Sequence, residues 1–191
     1  MSGIAELIGK PEMLIPITVA IDKLDKIGLE KVMEELEFKG LTQEELSLIQ
    51  PLFDLGGGNT QVLSDLKELL ASSNVALEGI KEVEFLLNST NDLGLKKAKL
   101  ELDVTLARGL DYYTGAIFEV VTNEVQMGSI CGGGRYADLT GIFGLKNLSG
   151  VGISFGADRI YDVIESLDLF PKEIENSVEV LIVNFGAEVS S

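Results

Sequence analysis

Apolar positions recur at spacings of three and four through the first hundred residues, the period of amphipathic helices. Ile17, Ile21, Leu24 and Ile27 share one helical face, with Pro16 suited to open that helix and Gly28 to stop it. A second helix is expected from about Leu29 to Gly40. Thr42 followed by Glu45 has capping-box spacing and opens a third, whose stripe of Leu46 and Ile49 runs to Pro51. Gly56-Gly57-Gly58-Asn59 reads as a turn; it lacks the Gly-Lys-Ser/Thr ending of a phosphate loop. Leu63, Leu66 and Leu70, then Leu77, Ile80 and Leu87, give two further amphipathic stretches.

From Lys99 the pattern changes. Leu100–Ala107 and Ala116–Val121 are rich in Val, Ile, Phe and Thr, and only eight residues separate them, so they are expected as strands paired antiparallel. Further strands are expected near Gly128–Cys131 and Gly150–Phe155, then a helix through Ile160, Ile164 and Leu167 to about Leu169, closed by Pro171. The stretch Val178–Asn184 is strongly β-prone and reads as the first strand of a further domain. The expected fold class is α+β: a helical module followed by an antiparallel sheet with flanking helices.

Composition narrows the chemistry. Fifteen Lys and Arg against thirty-one Asp and Glu give a formal charge of −16, which opposes a broad surface for nucleic-acid backbones or anionic lipids. The single cysteine, Cys131, rules out an internal disulfide framework, and the absence of histidine removes Ser-His-Asp and Cys-His catalysis and His-ligated zinc. No metal site and no protein-bound cofactor are expected. No apolar run approaches the roughly 18 residues of a membrane helix, and Met1-Ser2-Gly3-Ile4 lacks the regions of a signal peptide, so a soluble cytoplasmic protein is expected.

The three arginines all lie in glycine-rich segments of the second half: Arg108-Gly109, Gly134-Arg135 and Gly156-Ala157-Asp158-Arg159. A planar guanidinium suits a carboxylate or phosphate that must be held in two directions, and neighbouring glycines let a ligand approach the backbone. A small-anion site is one reading. Buried ion pairs with Asp111, Asp138 and Asp158 are the other. Tyr112 and Tyr113 follow Arg108 closely and, on a strand end, point in different directions. Arg159 falls in the first turn of the closing helix, where unpaired amides also favour phosphate, although Asp158 competes for the same positive end. Cys131 has no base to activate it and reads as a packing residue.

These segments resemble a known family. Leu106-Ala107-Arg108-Gly109-Leu110-Asp111-Tyr112-Tyr113-Thr114-Gly115 looks like the first histidine-specific motif of the histidyl-tRNA synthetases, and Cys131-Gly132-Gly133-Gly134-Arg135-Tyr136-Ala137-Asp138-Leu139 resembles the second. Gly150-Val151-Gly152-Ile153-Ser154-Phe155-Gly156-Ala157-Asp158-Arg159-Ile160 resembles the third class II synthetase motif. The helical half is similar to the family's insertion domain, including Ile21–Gly28. The resemblance implies three regions: a mainly helical insertion domain over 1–98, the C-terminal part of the class II catalytic domain over 99–172, and over 173–191 a linker with the first strand of a truncated anticodon-binding domain.

It also implies a ligase that activates histidine with ATP and Mg2+ and passes the histidyl group to tRNA(His), working as a homodimer. In that scheme Arg108 holds the histidine carboxylate and the α-phosphate, Tyr112 and Tyr113 border the imidazole, and Gly132, Gly133 and Gly134 line the pocket. Arg159 meets the ATP phosphates, with Asp111 and Arg135 as supports behind the site. The first and second class II motifs are not in this sequence, so the chain is expected to be an internal fragment, inactive alone and prone to a non-native oligomer. Two other families share this core: the histidine-sensing regulatory subunit of ATP phosphoribosyltransferase, and the synthetase-like RNA-sensing module of a stress kinase. The helical insertion and the Val178–Val183 strand argue against the first, and retained Arg108, Tyr113 and Arg159 against the second.

Overall fold

The computed structural model describes residues 1–107, 113–137, 139–172, 180 and 183 of the chain. Seven helices build the first part: α1 (Ser2–Leu7), α2 (Leu14–Ile21), α3 (Leu24–Ile27), α4 (Leu29–Phe38), α5 (Gln43–Ile49), α6 (Asn59–Leu69) and α7 (Asn74–Leu93). Strands β1 (Ile117–Val120), β2 (Cys131–Tyr136) and β3 (Gly150–Phe155) follow, with α8 (Leu139–Ile142) before β3 and α9 (Ala157–Ser166) after it. The fold is α+β, as expected. Contacts divide the chain into two compact units, Met1–Phe118 with Gly133–Gly152, and Glu119–Gly132 with Ile153–Ser191. Among the described residues no helix is long and apolar enough to cross a membrane.

The helices close over their own core. Ile17, Val32, Leu36 and Ile49 have no exposed surface. Gly3 lets α1 lie directly on α7, since a Cβ there would fall 2.7 Å from the Cα of Ala76. The same contact is tied by fully buried Ser73, whose hydroxyl donates to the Glu6 carboxylate and accepts from the Ala76 amide at 3.0 Å, capping α7. The Thr42–Glu45 capping box forms as its spacing predicts. Lys10 reaches across to it, donating to Glu45 at 2.8 Å and to the Gly40 carbonyl at 2.9 Å. That lysine and the Thr42 amide hold the Glu45 carboxyl below its ordinary value, as Lys23 and Lys39 do for Glu35.

Several expectations need correction. The helix read as opening at Pro16 begins at Leu14, which costs nothing because amides of a first turn have no helical partner. It also breaks at Asp22–Lys23, where the Lys23 amide turns back three residues to Ala20; and α1 was not anticipated. Gly28, at φ 80°, ends α3 and starts α4.

The largest difference concerns Leu100–Ala107, which is not a strand. Leu100, Leu102 and Val104 alternate as a strand's would, but they pack on the helical core. The Asn59 side chain takes the Leu100 carbonyl (2.9 Å) and the Leu102 amide (2.8 Å), groups that a neighbouring strand would have used. The Asp103 carboxylate then accepts from both the amide and the hydroxyl of Thr105 and turns the chain.

β1 therefore pairs with β2 instead, in the order β1-β2-β3. Both pairings are antiparallel, with the Ile130 amide on the Val120 carbonyl (2.8 Å) and the Gly156 amide on the Ile130 carbonyl (2.9 Å) at one end. The strand expected near Gly128–Cys131 starts only at Cys131 and runs through three glycines, which strand propensity disfavours but a central position tolerates. β3 has its expected bounds. α9 stops at Ser166, short of Leu169, because Asp168 adopts φ 53° and the Leu169 amide wraps back to the Ile164 carbonyl. The strand expected over Val178–Asn184 lies, apart from Val180 and Val183, outside the described residues.

Candidate functional site

Arg108, Asp111 and Tyr112 lie outside the described residues. The remaining candidates fall in two places, one in each unit.

In the first unit, Tyr113, Gly133, Gly134 and Arg135 come together around the start of β1. Arg135 sits in β2 and donates its amide to the Ala116 carbonyl (3.0 Å) while its carbonyl accepts from the Thr114 amide (2.9 Å). One residue thus opposes three, 114–116, a local bulge of the kind that re-aims side chains near sites. Arg135 braces it further: its stem packs where a Cβ on Gly115 would stand, 3.1 Å from Cδ, and its guanidinium makes a long bond to the Thr114 hydroxyl, 3.5 Å. The Tyr113 ring lies on Gly134, where a Cβ would come 2.7 Å from Cδ1 and 2.8 Å from the Ala116 carbonyl oxygen. The room left by this glycine is filled by Tyr113. Gly133 and Gly134 are buried.

Tyr136, which sequence reasoning passed over, plays the same part on the next strand. Its ring lies across Gly150 and Gly152, where added Cβ atoms would stand 2.6 Å from Cε2 and 2.8 Å from the hydroxyl oxygen. Glycine at alternate positions of an apolar strand is a signal of close approach that could have been read from the sequence.

In the second unit, Gly132 is half-buried at the start of β2, and Arg159 stands in the first turn of α9 with Gly156 as N-cap. Arg159 donates from Nη1 to the Ser129 carbonyl at 2.6 Å, passing beside Gly128, whose Cβ position is 3.5 Å from the same nitrogen. Ser129 is buried and donates its hydroxyl to the Cys131 carbonyl at 3.0 Å. A guanidinium has five N–H donors, so this bond orients the group and leaves most of it able to take an anion.

Among the described residues the ion pairs are all between lysine and glutamate, and neither Arg135 nor Arg159 joins one. Asp111 and Asp138, two of the three aspartates considered as arginine partners, lie outside the described residues. No group of three or more potential metal-ligating side chains occurs among the described residues. Taken separately, the first place offers a guanidinium, phenol rings and glycine-lined backbone and the second a guanidinium at a helix start, and the sequence has no imidazole for proton transfer.

The family model described as histidyl-tRNA synthetase matches residues 4–160. A histidine–tRNA ligase of Phocaeicola vulgatus is 58% identical over 186 residues, covering 97% of this chain and 41% of the relative. One of Christiangramia forsetii is 56% identical, again over 97% of this chain and 41% of its own length. The chain therefore spans about two fifths of the curated relatives it matches. The crystal structure of histidyl-tRNA synthetase from Nostoc sp. PCC 7120 superposes with a TM-score of 0.81 at 32% identity, over 89% of this chain and 41% of that one. A protein of Bacillus halodurans described as an ATP phosphoribosyltransferase regulatory subunit/histidyl-tRNA synthetase gives 0.69 at 19% identity over 92% and 48%, a likeness of fold alone.

Proposed function

The chain belongs to the histidyl-tRNA synthetase family, and from that premise we propose that it is the middle portion of a histidine–tRNA ligase. The observation that carries this reading is the family match over residues 4–160, which runs through all three glycine- and arginine-bearing segments. In the proposed reaction histidine carboxylate attacks the α-phosphate of ATP, giving histidyl-adenylate and pyrophosphate, and the acyl group then passes to tRNA(His). Magnesium enters with the ATP. Residues 1–98 are the helical insertion, 99–172 the end of the catalytic domain, and 173–191 the linker and start of an anticodon-binding domain. The whole enzyme is a cytoplasmic homodimer.

Arg108 binds the histidine carboxylate and α-phosphate and stabilises charge that builds as the new bond forms, a task for fixed charge rather than proton transfer. Tyr112 and Tyr113 border the imidazole, and the filled clearance at Gly134 supports a role for that glycine in seating Tyr113 rather than substrate. Gly132 and Gly133 keep backbone near the ligand. Arg135, tied to both sides of the 114–116 bulge, holds the segment behind Tyr113 in place. Asp111 supports Arg108. Arg159, oriented by the Ser129 carbonyl, meets the ATP phosphates.

The test is histidine-dependent exchange of pyrophosphate into ATP by the complete synthetase, as wild type and as Arg108→Ala, beside the 191-residue chain. Wild type exchanges, the variant loses about 10²-fold or more, and the 191-residue chain alone gives no signal. A folded wild type that binds histidine without exchange would point instead to a sensing relative.

A further inference from the structure

Asn59 follows the Gly56–Gly58 turn, a feature that the proposed reaction does not use. Asparagine is among the strongest N-cap residues, yet here it stands one place inside α6, and Gly58, which has no side chain to cap with, takes the cap position. Asn59 uses both ends of its amide elsewhere. It donates to the Leu100 carbonyl at 2.9 Å and accepts from the Leu102 amide at 2.8 Å, reaching more than forty residues along the chain. Those bonds are the reason that 100–102 needs no strand partner. Gly57, at φ +103°, makes the turn that delivers Asn59 to this position. The side chains of the clamped Leu100 and Leu102 and of Val104 beyond them pack on the helical core, Ala107 is buried in it, and Arg108 comes next.

We propose that Asn59 is a positioning residue: it clamps residues 100–102 to the helical module and so fixes the point from which the segment bearing Arg108 departs. This rests on the ligase reading for its catalytic consequence, but the clamp itself can be tested without it. The chemistry supports it on two counts. A local cap has been given up for a distant contact, the mark of a tertiary role overriding a local one. And the paired donor and acceptor of an amide fix register as well as proximity, which a hydrophobic contact does not.

The experiment uses the complete synthetase as wild type, Asn59→Leu and Asn59→Asp. Asn59→Leu loses both bonds, whereas Asn59→Asp keeps the acceptor for the Leu102 amide. Hydrogen exchange of the Leu102 amide is expected to quicken by about tenfold or more in Asn59→Leu and less in Asn59→Asp, while the Glu45 amide in the α5 capping box stays at the wild-type rate. In pyrophosphate exchange, kcat falls in the same order, by about tenfold for Asn59→Leu, with the KM for ATP held within about twofold. Unchanged exchange at Leu102 in both variants overturns the clamp. Faster exchange there with unchanged kcat overturns its link to Arg108. A wild type that shows the clamp but no histidine-dependent activity overturns the ligase reading and the catalytic half of this proposal, leaving the clamp established.

Discussion

Ile49, at the end of α5, is fully buried, whereas Ile153, in the middle of β3, is 59% exposed, and their neighbours follow suit. Val32 and Leu36 of α4 have no exposed surface, while Val151 and Phe155 flank Ile153 at 68% and 70%. The helices are held by an apolar core of their own. The strands are held by backbone pairing and by tyrosine rings laid on glycines, with the other face of β3 bare. Stability in the first region is therefore a matter of volume filled, and in the second of clearance kept. A polypeptide can carry both because the helical core does not need the strands to be covered.

Substitution at matched residues should expose the contrast. Leu36→Ala is expected to cost about 2–5 kcal/mol through the cavity it leaves. Ile153→Ala should stay within about 0.5 kcal/mol, as exposed positions do. Urea denaturation followed by circular dichroism measures both, and equal losses would break the comparison. Gly134→Ala tests clearance: its methyl meets Tyr113 and the Ala116 carbonyl, so about 1–3 kcal/mol is expected from overpacking. Tyr113→Ala added to it should recover part of that loss, a non-additivity that a double-mutant cycle reads directly.

Smaller effects belong to the helix ends. Thr42→Ala removes half of the capping box and should lower the Tm by an amount equivalent to about 1 kcal/mol. The least is the acid limb of the stability curve. Glu35 and Glu45 have carboxyls held below the ordinary value of 4.5, so what they contribute is complete above that pH and is lost as pH falls through their folded values. Glu35→Gln with Glu45→Gln should flatten thermal stability against pH below about 4.5, leaving the neutral range parallel to wild type.

Much of this was legible from residue order. The capping box, the stops at Gly28 and Gly40 and the faces of α6 and α7 depend on contacts within a few residues, and the pattern contains them. Leu100–Ala107 misled because its alternation records only that one side is buried; that the cover is helical, and that Asn59 replaces a strand, depends on a residue more than forty positions away. β2 begins later than expected because glycines are poor strand formers, and the two strands that pair with them here cannot be read from local sequence. Among the candidates, the arginines stand out by clustering in glycine-rich segments and Tyr113 by its nearness to Arg108, whereas the contacts of Tyr136, Ser129 and Thr114 join segments that sequence spacing does not bring together.

The ring of Tyr136 resting on Gly150 and Gly152 also constrains the order in which this sequence can change. A side chain arriving first at position 150 or 152 would meet the ring, which must shift to admit it, so such a change carries a cost in a chain that still has tyrosine at 136. Once position 136 has become small, that cost is gone, and afterwards it falls on the return of tyrosine. Descent through these three positions is a ratchet, and variants made one at a time in the laboratory would meet the barrier on one side only.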